Sequence, residues 1–115
     1  MKKIVFHFDS FNNDIEYIIG QNASENFKII DDANESDIWF HIDGYPSCHV
    51  ICRIPDNLSK KDLSKVIKRG ALCCKEHSKY RTIKLVSVIY TYVENVKKTD
   101  VVGTVIATNT KSIKI

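Results

Sequence analysis

Residues 37–54 read DIWFHIDGYPSCHVICRI, and this stretch decides the fold. Two runs, 37–42 and 47–54, flank the turn-forming residues Asp43, Gly44, Tyr45 and Pro46. Apolar side chains occupy every even-numbered position of both runs, as in a β-strand with one buried face. The stretch therefore predicts a β-hairpin. Its core-facing side chains are Ile38, Phe40, Ile42, Cys48, Val50, Cys52 and Ile54.

The odd-numbered positions of the hairpin predict its register. If the turn is centred on Tyr45, residues equally distant from Tyr45 face each other across the two strands. One of the resulting pairs joins an acid to a base, which favours this register over its neighbours. The opposed pairs are His41 with His49, Trp39 with Ile51, and Asp37 with Arg53.

This second face carries a tryptophan and imidazoles where a merely solvated strand would carry Lys, Glu and Thr. An exposed Trp39 ring beside histidine and arginine could stack an unpaired base and hydrogen-bond its sugar or phosphate. Three other interpretations remain open. Trp39 and Ile51 could form a second core layer, or Asp37, His41 and His49 could bind a metal or act as acid and base. No fourth ligand and no nucleophile stands near them in the pattern, so we expect neither a metal nor catalysis.

Outside the hairpin, hydrophobic patterning predicts five further strands and one main helix. The helix is expected over about 59–78, with Ser59 as its N-cap and Asp62 completing a variant of the capping box. Gly70 interrupts its apolar stripe and indicates close packing on a sheet. The stripe consists of Leu63, Val66, Ile67, Ala71 and Cys74.

The architecture expected from these elements is an α+β fold with a mostly antiparallel sheet of about seven strands. A short helical segment near 22–28 and an acidic loop over 31–35 precede the hairpin. Residues 95–100 are interpreted as a basic loop. The remaining strands are expected at 3–8, 15–19, 82–93, 101–107 and 111–115.

Charge is distributed unevenly between the halves of the chain. Residues 1–57 contain four basic and ten acidic side chains, a net charge of −6, whereas residues 58–115 contain thirteen basic and four acidic ones, a net charge of +9. Such asymmetry predicts a surface that faces a polyanion. The alternative is a helix whose lysines are merely solvated. The candidate phosphate-binding residues are Lys79, Arg81, Lys97 and Lys98.

Length and composition exclude several classes of protein. With 115 residues, the chain is interpreted as one domain, 1–115, and its hydrophobic content of 43% is that of a globular protein. Neither a membrane-spanning run nor a signal peptide is visible, so we expect a cytoplasmic protein without membrane association. The four cysteines lack zinc-ligand spacing and are expected to be small, reduced core residues. No cofactor-binding motif occurs.

The DxWxH pattern at 37–41, followed by SxHVxxR at 47–53, resembles the NFACT-R domain, the RNA-binding module of NFACT proteins in ribosome-associated quality control. The residues Gly20, Asn22 and Asn26 are similar to the family's upstream signature. Weaker similarities are Ser78-Lys79, Lys97-Lys98 and Gly103, so the resemblance covers nearly the whole chain. The additional domains and coiled coils of the large family members have no counterpart here, so their peptide-tailing role does not carry over.

The resemblance implies a non-enzymatic RNA-binding module, with structured RNA such as tRNA or ribosomal RNA, and through it the ribosome, as its partner. A DNA-binding module and a protein-interaction adaptor that use the same face are the alternatives. In the RNA-binding interpretation, Asp37, Trp39, His41, His49 and Arg53 form the contact platform. The phosphates are held by Lys79, Arg81, Lys97 and Lys98.

Overall fold

The computed structural model describes all 115 residues and has an α+β architecture, as predicted. It contains eight strands rather than about seven, two α-helices, and one 3-10 turn at Val93–Asn95. The helices are α1 (Ala23–Asp31) and α2 (Lys60–Glu76). The strands are β1 (Lys2–Phe8), β2 (Asn13–Gly20), β3 (Ile38–Ile42), β4 (His49–Cys52), β5 (Ser87–Tyr92), β6 (Val96–Lys98), β7 (Val105–Ala107) and β8 (Lys111–Lys114).

Six strands form one sheet in the order β1-β2-β4-β3-β5-β8, and β6 pairs with β7 in a separate hairpin. Every pairing is antiparallel. The register predicted for the β3–β4 hairpin is confirmed, since Trp39 faces Ile51 and Phe40 faces Val50. The predicted alternation is also confirmed, because Ile38, Phe40 and the other even-numbered side chains of β3 and β4 lie in the main core.

Helix α2 covers the face of the sheet that carries the even-numbered side chains of β3 and β4. Ser59 caps the helix by accepting a hydrogen bond from the amide of Asp62. A Cβ at Gly70 would lie 2.2 Å from Cζ of Phe40, so only glycine allows the helix this close to β3. The predicted close packing at Gly70 is therefore confirmed. Tyr17 anchors the centre of α2, because its hydroxyl donates to the carbonyl of Val66 at 2.8 Å.

The opposite face of the sheet is covered by α1 and the β6–β7 hairpin, which together build a second, smaller core. Trp39 and Ile51 point into it and are each only 2% exposed. The second-core-layer interpretation of these two residues is therefore correct. The side chains that cover them are Ile29, Ile30, Val93 and Val96.

Several predicted boundaries are wrong in an informative way, and the strand expected over 101–107 is limited to Val105–Ala107. Helix α1 continues to Asp31, because Ile29 and Ile30 have an apolar surface to pack against. Residues 82–85 do not extend β5, since Ile83 and Leu85 are exposed, whereas Val86 is buried and exchanges two backbone hydrogen bonds of 2.9 Å with Ile115. The basic segment that contains Lys97 and Lys98 is strand β6 rather than a loop.

The cysteines behave largely as core residues. Cys52, Cys73 and Cys74 are buried, Cys48 is half-buried, and all four are free thiols. Burial raises the pKa of Cys73 to about 11, so this thiol stays protonated at neutral pH. Neither helix is long and apolar enough to cross a membrane.

Candidate nucleic-acid interface

A cleft of about 620 Å³ opens beside α1 at the end of the sheet where β3 ends and β4 begins. Three segments that are distant in sequence form its walls: residues 21–26 at the start of α1, residues 41–49 around the β3–β4 turn, and residues 102–110 of the β6–β7 hairpin and the segment after it. Several of the residues that carry the family resemblance converge here, whereas Asp37 and Arg53 do not. Those that line the cleft are Asn22, Asn26, Trp39, His41, Ser47, His49 and Gly103.

Two glycines allow the walls of the cleft to approach each other. A Cβ on Gly20 would lie 2.3 Å from the Asn26 side-chain oxygen and 2.9 Å from the Asn26 backbone nitrogen. Gly103 has φ +84°, and its missing Cβ leaves room for Ala23. Asn26 uses the close approach to tie α1 to the sheet, because its Oδ1 accepts a hydrogen bond from the backbone amide of His49 at 3.2 Å.

His49 is held as a neutral imidazole on the floor of the cleft. The indole Nε1–H of Trp39 donates to Nδ1 of His49 at 3.1 Å. Burial, together with the neighbouring imidazole of His41, lowers the pKa of His49 to about 3. Because Nδ1 accepts, the proton of the neutral ring sits on Nε2. No protein atom bonds to that Nε2, and His49 lines the cleft, so Nε2 is the ring nitrogen left free for a ligand there.

His41 is held in the opposite tautomer. Its Nδ1 lies 2.6 Å from the carbonyl oxygen of Ile42, which can only accept, so Nδ1 carries the proton. Burial lowers the pKa of His41 below its ordinary value, which leaves Nε2 as a bare acceptor at neutral pH. The ring stacks on Trp39, with centroids 5.7 Å apart and an interplanar angle of 7°. Its centroid lies 4.9 Å from that of His49.

The predicted contact platform is not one continuous surface. Trp39 is buried beneath the second core and offers no free ring face, so the exposed stacking ring expected from the sequence is wrong for this residue. Asp37 and Arg53 lie at the far end of the β3–β4 hairpin and line a different cleft of about 790 Å³. The Asp37 carboxylate accepts from the amide of Asn34 at 2.9 Å and from Nε of Arg53 at 3.4 Å, as the predicted register requires.

The basic residues proposed for phosphates fall into two groups. Lys79 and Arg81 lie in the connection from α2 to β5, beside Tyr80, whose ring packs on that of Tyr45 with centroids 5.4 Å apart. Other residues of the turn that contains Tyr45 line the cleft, so this basic connection contacts the segment that forms one wall of the cleft.

Lys97 and Lys98 lie on β6, on the other face of the sheet. They differ from each other, since Nζ of Lys98 lies 2.5 Å from the Asp31 carboxylate and 5.2 Å from the centre of the Phe27 ring. Lys97 is exposed and has no acidic partner within ion-pair distance.

Further cations lie in the second half of the chain. The positions of Lys61 and Lys68 off the apolar stripe of the helix predict their exposure, whereas no sequence pattern singles out the other four. These side chains are exposed, and no carboxylate lies within ion-pair distance of them. They are Lys60, Lys61, Lys68, Lys84, Lys111 and Lys114. Strand β8 reaches the C-terminal part of α2, because Nζ of Lys75 donates to the carbonyl of Ile115 at 2.9 Å. Apart from the helical spacing of Lys61 and Lys68, the excess of positive charge after residue 58 is the only sequence signal for these cations.

Comparison with known proteins identifies the family. Residues 4–114 match the model of the NFACT protein RNA binding domain. Coiled-coil domain-containing protein 25 from Mus musculus is 32% identical over 101 residues, and its counterpart from Danio rerio is 29% identical over 100 residues. Both alignments cover 84% of this chain, which spans about half the length of these relatives, 49% and 48%.

A solved structure shows the same fold. The C-terminal part of the fibronectin/fibrinogen-binding protein from Streptococcus suis superposes with a TM-score of 0.81 at 20% identity, and the match covers 100% of this chain and 45% of that one. The family match extends over nearly the whole chain, and it agrees with the motif residues that the fold gathers around one cleft. The chain belongs to the NFACT RNA-binding domain family.

Proposed function

We propose that this domain binds structured RNA, such as tRNA or ribosomal RNA, in the cytoplasm and without catalysing a reaction. The observation that carries the proposal is the set of exposed, unpaired cations in the α2–β5 connection, which contacts the turn at the wall of the cleft that several of the family's motif residues line. Positive side chains without acidic partners bind phosphates at the smallest electrostatic cost, because no ion pair has to be broken.

The geometry supports separate roles for the basic α2–β5 connection and for the cleft. Lys79, Arg81 and Lys84 lie in one short connection, where they can follow a phosphate backbone without reading its sequence. The cleft takes an unpaired nucleotide, and its two imidazoles supply the polar contacts to it. RNA would therefore run past the turn that contains Tyr45.

A non-catalytic role agrees with how the hydroxyl at the cleft wall is used. Oγ of Ser47 accepts from the amide of Ile42 at 3.1 Å and donates to the carbonyl of Cys48 at 2.9 Å. Its proton and a lone pair therefore hold the turn in shape rather than serve a nucleophile. The neutral histidines beside it act as hydrogen-bonding groups.

Salt-dependent binding of a tRNA tests the proposal. The variant Lys79→Ala with Arg81→Ala should weaken binding and lower the slope of log affinity against log salt by about 0.7 to 0.9 per lost phosphate contact. The control is Lys3→Ala with Lys28→Ala. It removes the same charge from lysines that are paired with Glu16 and Asp32, and it should change binding much less.

Three results would contradict the proposal. Equal losses in the two double variants would mean that net charge rather than this surface determines binding. Binding that does not depend on salt would favour a protein-interaction adaptor. Tighter binding to duplex DNA than to the tRNA would favour the DNA-binding alternative.

A further inference from the structure

Two neutral imidazoles of opposite hydrogen-bonding character face the same cleft. Nε2 of His49 is a donor, because the Trp39 indole occupies Nδ1, and Nε2 of His41 is an acceptor, because the Ile42 carbonyl fixes the proton on Nδ1. The ring centroids are 4.9 Å apart, at an interplanar angle of 86°. Neither Nε2 has a partner within the protein.

A donor next to an acceptor selects the chemistry of the ligand. A phosphate or carboxylate oxygen can only accept, so it would satisfy His49 but meet the lone pair of His41 and the carboxylate of Asp43, which also lines the cleft. A hydroxyl both donates and accepts at one oxygen atom. The cleft is therefore complementary to a hydroxyl group rather than to an anion.

We propose that His41 and His49 recognise the 2′-hydroxyl of one unpaired ribonucleotide, His41 accepting its proton and His49 donating to its oxygen. The inference rests on the proposed RNA binding and adds the selection of RNA over DNA. The 2′-hydroxyl is the group by which a protein distinguishes the two at a given nucleotide. Trp39 is a positioning residue, since it stacks on the His41 ring and orients the His49 ring through its indole hydrogen bond.

The test uses stem–loop RNAs that share one RNA stem and differ only in the sugars of an all-uridine loop. Binding is measured by fluorescence anisotropy at fixed salt for loops with ribose, 2′-deoxyribose or 2′-fluoro sugars. Two lost hydrogen bonds predict about tenfold weaker binding to the deoxy loop. The fluoro loop cannot donate a proton, so its affinity should also fall below that of the ribose loop.

The variant His41→Phe keeps a ring against Trp39 but removes the acceptor. We expect this variant to bind the deoxy loop about as well as the wild type does and to keep only a reduced preference for ribose, because His49 can still donate to the hydroxyl oxygen. The matched control is His7→Phe, which removes a histidine that is exposed and paired with Asp14 outside the cleft. This control should keep the full preference. Circular dichroism establishes that both variants are folded.

The outcomes separate the inference from the proposed function. If the wild type binds all three loops equally, recognition of the hydroxyl is wrong while RNA binding stands. The inference also fails if His41→Phe and the deoxy loop weaken binding additively, because two groups in contact must show coupling. Binding to none of the RNAs overturns both. The fluoro comparison needs no variant, so the test remains decisive even if His41→Phe does not fold.

Discussion

The indole of Trp39 donates its only polar hydrogen to Nδ1 of His49, a contact between two side chains that are each 2% exposed. This contact joins the second core to the cleft. It satisfies the one donor of a buried tryptophan, and it leaves His49 with its proton on the atom that faces the ligand. The tryptophan of the DxWxH pattern thus acts on the site indirectly, by orienting His49 from the buried side of its ring.

Trp39→Ala should destabilise the fold rather than remove a base-stacking contact. Truncation of a buried aromatic ring costs about 3 to 5 kcal/mol. Trp39→Phe keeps most of the apolar surface but leaves Nδ1 of His49 without its donor, so we expect a smaller cost of about 1 to 3 kcal/mol. Urea denaturation measures both. A loss of RNA affinity by Trp39→Ala with unchanged stability would show that the ring is accessible after all.

Stability should fall as the pH drops below about 6.5, partly because of His49. Its pKa is lowered to about 3 in the folded protein, whereas an unfolded histidine titrates near 6.5. Below pH 6.5, His49 of the unfolded chain binds a proton, whereas His49 of the folded protein stays neutral until the pH approaches 3. The stability that depends on neutral His49 is therefore complete above this pH and is lost towards pH 3.

The expected loss from His49 is about 1 kcal/mol between about pH 7 and pH 5.5, with a further contribution of the same sign from His41. The comparison protein is His49→Gln, whose free energy of unfolding should depend less on pH over this range. Urea titrations at several pH values provide the measurement. Identical slopes for the two proteins would mean that His49 titrates normally in the folded state.

Comparison of Gly20→Ala with Gly70→Ala should distinguish damage to the cleft, which lowers RNA affinity, from damage to the main core, which lowers only stability. The new methyl group meets Asn26 in the first variant and the Phe40 ring in the second, so each variant should lose about 1 to 3 kcal/mol of stability. Only Gly20→Ala displaces the residue that ties α1 to His49, so only this variant should also bind RNA more weakly while still folded. Thermal denaturation combined with RNA titration below the melting temperature tests this. Equal RNA affinities would refute the role assigned to the α1 wall.

Lys97 and Lys98 are adjacent but should behave differently. Lys97 has no acidic partner, so Lys97→Ala should lower the salt slope of RNA binding by about 0.7 if it loses one single-strand phosphate contact. Lys98 is held by Asp31, so Lys98→Ala should affect binding less and should loosen the attachment of the hairpin to α1 by at most about 1 kcal/mol. A larger effect of Lys98→Ala on the salt slope would show that RNA displaces Asp31.

Local pattern was sufficient for the β3–β4 hairpin and for α2. The alternation over 37–54 and the central position of Tyr45 predicted the register, and Ser59 with the apolar stripe predicted the helix. These features depend on side chains that are close in sequence. They can therefore be predicted without knowledge of the rest of the fold.

What covers the second face of the sheet could not be predicted in the same way. Alternation shows that Trp39 and Ile51 share a face, but it does not show which element packs on that face. The cover comes from Ile29 and Ile30, which follow the short helix that the sequence predicts near 22–28, and from Val96, which lies in the predicted basic loop. The sequence signal that could have revealed this cover is the pair of apolar residues Ile29 and Ile30. They lie next to the acidic loop over 31–35 and belong to no predicted helix or strand.

The roles of the two histidines also depended on contacts beyond the pattern. His41 and His49 were expected to oppose each other, and their rings are adjacent. Their opposite tautomers follow from partners that no spacing reveals: a backbone carbonyl for one and an indole for the other. Only the family resemblance points to Asn26, although its side-chain amide connects α1 to β4.

The contact of Gly103 with Ala23 joins segments from opposite ends of the chain, and it has a consequence for the order in which the domain matures. During synthesis, the first five strands of the sheet, α2 and most of the first core can assemble from residues that leave the ribosome before the β6–β7 hairpin does. The cleft cannot, because its last wall includes residues 102–110. A nascent chain would thus expose the apolar face around Trp39 until the β6–β7 hairpin closes over it. The same late event would bury that face and complete the binding site, so no partly folded form of this domain should hold RNA in the cleft.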